Sequence, residues 1–206
     1  VTAAGALTGG IAWLAFALVY AWAAMQLSWW TALATGLLAY LAVGLLLVAL
    51  APPFVMVVIA IVVIVVFGPR FFPRLLKVDA APRASRYEIY VRMLAGGAMS
   101  VLVTRLSPML GPKFSGLLSV FPVMGIVLAA FSHRASGGAF TVRLLRGMFS
   151  GFYAFTAFCL TVSLALPFIG TAAGFALAVC VSLAVHVFVL RLTHRPSEAR
   201  AIRSNP

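Results

Sequence analysis

Carboxylates are almost missing from this chain: Asp79, Glu88 and Glu198 are the only acids in 206 residues. Catalysis by paired carboxylates is therefore excluded. Charge of either sign is scarce, at 9% of residues, against roughly 25% in a soluble domain, and this excludes the water-soluble class. Strand-type alternation is absent, which argues against an outer-membrane barrel. Only two cysteines occur, Cys159 and Cys180, both inside apolar blocks and without metal-ligand spacing. Thiols so placed behave as small hydrophobes. No HExxH, phosphate-cradling glycine loop or nucleophile elbow occurs. No enzymatic activity, cofactor or metal is expected.

What is present is apolar: 64% of residues, a mean hydropathy of +1.14, and blocks separated by short Pro/Gly or Arg-rich joints. That pattern predicts an all-α, polytopic integral membrane protein with about seven transmembrane helices in one domain. The expected spans are about 5–26, 29–50, 54–68, 88–107, 114–132, 147–166 and 168–190. The first lacks the basic n-region of a signal peptide and is read as a retained helix. Pro52-Pro53 turns the chain into the third, because residues preceding proline avoid helical backbone. That third span covers only about 23 Å at about 1.5 Å per residue; it must borrow flanking residues or thin the bilayer. Leu166-Pro167 is expected to turn the sixth span into the seventh, and residues 193–206 to form a mobile basic tail.

The net charge of +12 does not point to nucleic acid. The basic residues gather at span ends, where they set orientation and meet anionic headgroups. The 69–86 loop carries Arg70, Arg74, Lys77, Arg83 and Arg86 against Asp79. Its interleaved Phe71, Phe72, Leu75 and Leu76 fit a short surface-lying helix or a solvated loop anchored by aromatics. Counting Lys and Arg places this loop, the joint with Arg134, Arg143 and Arg146, and the tail in the cytoplasm. The N-terminus is then outside and the C-terminus inside. FGPRFFPRLL at 67–76 and LGPKFSGLL at 110–118 share a Gly-Pro-basic-Phe turn, but their flanks do not align.

Ionisable residues within spans are the first candidates for function, since each is costly in lipid. Glu88 and Arg92, four apart, share a helix face and can pair. Arg105 lies about 20 Å beyond Arg92 along the same helix; the two flank an anion path or serve as interfacial anchors. His133 and Arg134, with Arg143 and Arg146 across a short turn, form a basic cluster suited to phosphate, carboxylate or lipid headgroup. His186, alone on an apolar helix, reads as a packing residue. Pro122 removes the backbone donor to the Leu118 carbonyl, which must find another partner in hydrocarbon. Ser115, Gly116, Ser119 and Gly125 thin the same helix, and a kinked helix near the midplane is where transport sites are built. Small residues at Gly96, Gly97 and Ser100, at Gly147 and Gly151, and at Gly170, Gly174 and Ala178 suit close helix approach, with a homodimer as one outcome. The aromatics near Phe149 and Phe152 face lipid or fill core gaps.

The run SGLLSVFPV at 115–123, then His133-Arg134 and LLRG at 144–147, resembles small bacterial membrane proteins of the GlpM type, over roughly 90–166. The resemblance implies a multi-pass protein of the bacterial cytoplasmic (inner) membrane and transfers no activity or site residue. The resulting expectation is a permease for a small, anionic solute, with a path past Pro122, Ser119, Ser115, Glu88, Arg92 and Arg105. The alternative is a non-transporting scaffold or accessory subunit of an envelope or polysaccharide assembly system.

Overall fold

In the computed structural model of the protein, the backbone is described for residues 2–75, 86–106 and 123–201, and the side chains for 5–75, 89–105 and 123–192. The described elements are helical: α1 (Thr2–Ala23), α2 (Trp29–Leu50), α3 (Phe54–Phe67), a 3-10 turn (Gly68–Phe71), α4 (Arg86–Leu106), α5 (Val123–Ile169) and α6 (Thr171–Ala201). Among the described residues, five stretches are long and apolar enough to cross a membrane: Gly5–Ala23, Trp29–Leu50, Phe54–Phe71, Val123–Ile169 and Thr171–Leu192. The chain is thus all-helical, with the apolar helices of a membrane protein. It divides into two compact units, Val1–Phe149 and Ser150–Pro206.

The first unit is organised around α1. Leu7, Ile11, Ala12, Trp13, Leu14, Phe16, Ala17, Tyr20, Ala21 and Ala24 are all buried, and at 3.6 residues per turn these positions surround the helix rather than line one stripe. Neighbouring helices therefore cover α1 on several sides. α2 offers a narrow face of Ala32, Gly36, Tyr40 and Gly44. A Cβ at Gly36 would stand 3.0 Å from the Phe16 ring and 3.2 Å from Tyr20, so the missing side chain sets how closely α1 and α2 approach. α3 buries only Val57, Ile61 and Val65, an i, i+4, i+8 stripe. Leu38, Leu45, Val55 and Ile59 on α2 and α3 stay exposed, as expected where the solvent is lipid.

α5 joins this unit by running parallel to α1. Gly125 lies against Trp13, whose indole nitrogen would be 3.1 Å from an added Cβ. His133 meets Tyr20. Gly138 lies against the Ala24 carbonyl, with no room for any side chain. Partners advance together along both helices, which fixes the shared direction. Gly137, between them, has φ 79° and ψ 174°, a conformation open essentially to glycine alone. α5 would measure about 70 Å if straight, more than twice the ~30 Å hydrocarbon core; the break at Gly137 redirects it.

The second unit is a helical pair joined at Gly170, whose φ of 76° is the left-handed backbone that ends helices. The Gly174 amide donates to the Gly170 carbonyl at 3.0 Å. Gly174 approaches Leu166, and the rings of Phe158 and Phe175 meet at 6.1 Å. Hydroxyls here bond their own helix: Thr161 to the Ala157 carbonyl, Ser163 to Cys159 and Ser182 to Val179. Cys159 and Cys180 are free thiols.

Several boundaries differ from the sequence expectation. The joint expected between spans at 114–132 and 147–166 is helix, leaving helical geometry only at Gly137; Arg and Leu are good helix formers, so polarity did not imply a loop. Pro167 lies inside α5 rather than turning the chain. The turn falls at Gly170, which accepts positive φ. α6 continues to Ala201, through residues expected to be a mobile tail. The stretch apolar and long enough to cross a membrane at the third span runs from Phe54 through the 3-10 turn to Phe71. Residues 107–122, with Ser115, Ser119 and Pro122, lie outside the described residues, as do 76–85 and the Glu88 side chain.

Gly138→Ala should destabilise the protein by about 1–3 kcal/mol, the usual cost of forced overpacking, because the new methyl meets backbone. Gly97→Ala, where an added Cβ meets open space, should be neutral or stabilising through helix propensity. Thermal unfolding of both variants in mild detergent, followed by circular dichroism, measures the contrast.

Candidate functional site

One end of the first unit holds the exposed Arg70, Arg134, Arg143 and Arg146. It is built where the C-terminal turn of α1, the 3-10 turn and the α5 segment 133–149 converge. Trp22 donates its indole N–H to the Phe71 carbonyl at 2.7 Å, tying α1 to the turn. Phe149, fully buried, presses its ring into the place a Gly68 side chain would occupy and meets Phe72 edge-on at 5.3 Å. Val142, Leu145 and Phe149 are buried on one face of α5, so Arg143 and Arg146 project from another. Arg146 donates from Nη2 to the Pro69 carbonyl at 3.3 Å.

Three arginines lie on aromatic faces. Arg70 lies 5.0 Å over the Phe67 ring, Arg143 5.2 Å over Phe140, and Arg92 of α4 5.7 Å over Phe131 of α5. All fall within the ~6 Å reach of cation–π attraction, worth about 0.5–1 kcal/mol at exposed sites. The first two pairs share a Phe-x-x-Arg spacing, FGPR at 67–70 and FTVR at 140–143. On a helical backbone side chains lean toward the N-terminus, so Arg at i+3 reaches back over Phe at i.

The Phe67 and Phe140 rings and the Pro69 carbonyl orient Arg70, Arg143 and Arg146 respectively. Arg70, Arg134, Arg143 and Arg146 are all exposed. Each keeps N–H donors able to take a phosphate or carboxylate in forked geometry. His133 is half-buried, with Nδ1 3.4 Å from the Tyr20 hydroxyl and the rings edge-to-face at 6.0 Å. Among the described residues no three His, Cys, Asp or Glu side chains gather to hold a metal.

The expected cluster of His133, Arg134, Arg143 and Arg146 is thus brought to one end, but as separate groups along α5 rather than a single cup. Arg92 turns inward onto Phe131, whereas Arg105 is exposed. His186 sits half-buried in the second unit. Arg70, counted only as part of the basic 69–86 loop, and Trp22 belong to this end, and neither was expected as a site residue. The repeated Phe-x-x-Arg was the signal available for Arg70; nothing local marked Trp22, whose partner lies 49 residues away. Comparison with family models, curated proteins and solved structures finds no match to the chain. The GlpM-type likeness therefore stands on its short sequence motif alone.

Phe149→Ala should cost about 3–5 kcal/mol and release the 3-10 turn from α5. Trypsin cleavage after Arg70 and Arg74 in detergent-purified protein should accelerate relative to wild type. An unchanged cleavage rate would mean that the ring does not hold the turn.

Proposed function

We propose that this protein is a small permease of the bacterial cytoplasmic membrane, moving a small anionic solute, with its basic end in the cytoplasm. The observation that carries the reading is the set of exposed arginine donors at one end, Arg70, Arg134, Arg143 and Arg146. Such a mouth concentrates anions and repels cations. Arg92, half-buried and turned onto Phe131 within α4, adds a charge drawn inward, the usual mark of a functional position in a membrane span. The proposed path continues past Glu88, Ser115, Ser119 and Pro122, with Arg105 at the far interface.

The proposed topology is seven spans, with the N-terminus outside and the C-terminus inside. The parallel course of α1 and early α5 supports it. α3 leads into the turn beside Trp22, at the C-terminal end of α1, yet α5 starts level with Trp13 and advances in the direction of α1. The chain must therefore return across the unit between Phe71 and Val123. α4, about 31 Å long at 1.5 Å per residue, is the helix available for that return.

A second reading, a scaffold or accessory subunit of an envelope assembly system, is favoured by the interior around α1. Trp13, Phe16, Tyr20 and Tyr40 fill it, as in a body that holds shape. Uptake by proteoliposomes separates the two. A screen of phosphate, small carboxylates and sugar phosphates should find one anion entering, with Arg92→Gln slowing it about tenfold or more and Arg191→Gln leaving it unchanged. Absence of flux for every anion, together with a stable partner recovered in mild detergent, would replace the permease with the scaffold.

A further inference from the structure

An open groove of about 430 Å³ runs along the outside of the α1–α2 turn, bounded by Leu18, Val19, Trp22, Leu27 and Thr35, with Gln26 at its lip. Its volume falls in the range of small-molecule sites, but its chemistry suits a hydrocarbon chain. Of its two polar side chains besides Trp22, Gln26 and Thr35, Thr35 has its hydroxyl committed to the Thr31 and Ala32 carbonyls at 3.1 and 3.0 Å. The Trp22 N–H is likewise spent on the Phe71 carbonyl. Apart from Gln26, the groove walls thus offer methyl groups and a ring face, with the Thr35 and Trp22 donors engaged elsewhere.

The same Trp22 connects the groove to positive charge. Its ring is one wall, and the carbonyl it binds belongs to the residue after Arg70. Arg70 is exposed, laid over Phe67, and Arg146 is anchored on the Pro69 carbonyl next to it. The depth is also defined: Trp22 is 53% exposed and Trp30, at the start of α2, 61%. Exposed tryptophans at span ends mark the headgroup level of a bilayer. An apolar groove, a tryptophan at the interface and forked cationic donors beside it match an anionic amphiphile better than either feature matches a separate ligand.

We propose that this groove and the adjoining 3-10 turn bind one anionic phospholipid, with an acyl chain against Leu18, Val19 and Trp22 and the phosphate on Arg70, assisted by Arg146. The inference rests on membrane residence alone and stands whether or not the protein transports a solute. The bound lipid pairs its phosphate with exposed Arg70 and clamps α1, α2 and the turn together.

Native mass spectrometry of the full chain released from nanodiscs tests this, using phosphatidylglycerol and phosphatidylcholine with the same acyl chains. Wild type should retain one phosphatidylglycerol about tenfold more than phosphatidylcholine, whose phosphate is the same but whose choline cation is repelled beside Arg70 and Arg146. Arg70→Gln should abolish that preference, and Val19→Trp, which fills the groove, should lower retention of both lipids. Leu27→Trp, at an exposed position, serves should Val19→Trp fold poorly. Three results would overturn the proposal: a preference that survives Arg70→Gln, retention unaffected by both groove-filling variants, or displacement by soluble glycerol phosphate, which would indicate a free-anion site. Equal loss from Arg191→Gln would also overturn it, since that would reduce the effect to diffuse charge.

Discussion

The first unit depends on contact between α1 and the opening of α5 through positions where neither helix can carry extra atoms. In lipid, apolar side chains gain nothing by leaving their solvent, so helices hold together through close van der Waals approach and a few polar contacts. Gly125 against Trp13, His133 against Tyr20 and Gly138 against the Ala24 carbonyl supply such an approach along the common length. α2 adds its own through Gly36. The large rings of Trp13, Phe16 and Tyr20 occupy the space these small residues leave, and α1 becomes the interior of the unit rather than one more lipid-facing span.

That packing decides where charge can go. With α5 held parallel to α1 as far as Ala24, its next turns emerge at the end where α3 closes in the 3-10 turn. Arg146 arrives beside Arg70, on the Pro69 carbonyl, where Phe149 docks on Gly68 and Phe72. Arg70 and Arg143 lie on phenylalanine rings and Arg146 donates to a carbonyl, contacts that orient a guanidinium. A surface so built attracts phosphate or carboxylate from lipid or solution, and this underlies both the permease reading and the lipid site.

Much of this was legible in sequence where the cause is local. The Trp29 start of α2, the Pro52-Pro53 turn and the incomplete third span follow from proline stereochemistry and helix length. The basic end follows from where Arg falls between apolar blocks. The misreadings also have local causes. HRASGGAF looks like a loop by composition, yet only Gly137 departs from helix. Pro167 looks like a turn, yet Gly170 supplies the positive φ. What one sequence cannot contain is partnership at long range: Tyr20 and His133 stand 113 residues apart, and no periodicity in either helix specifies the other. The Phe-x-x-Arg pairs lie between these cases, local in origin and informative only once the turn and α5 are known to meet.

The parallel course of α1 and α5 is the claim on which orientation, the basic end and the return of the chain through α4 all rest. Cysteine crosslinking in membranes addresses it directly, in a background carrying Cys159→Ser and Cys180→Ser. Paired replacements at Trp13 with Gly125 and at Tyr20 with His133 should each crosslink efficiently with a short thiol reagent, while Trp13 with His133 and Tyr20 with Gly125 should not. Crosslinking of the swapped pairs in place of the matched ones would mean that the helices run antiparallel, and the account would fail.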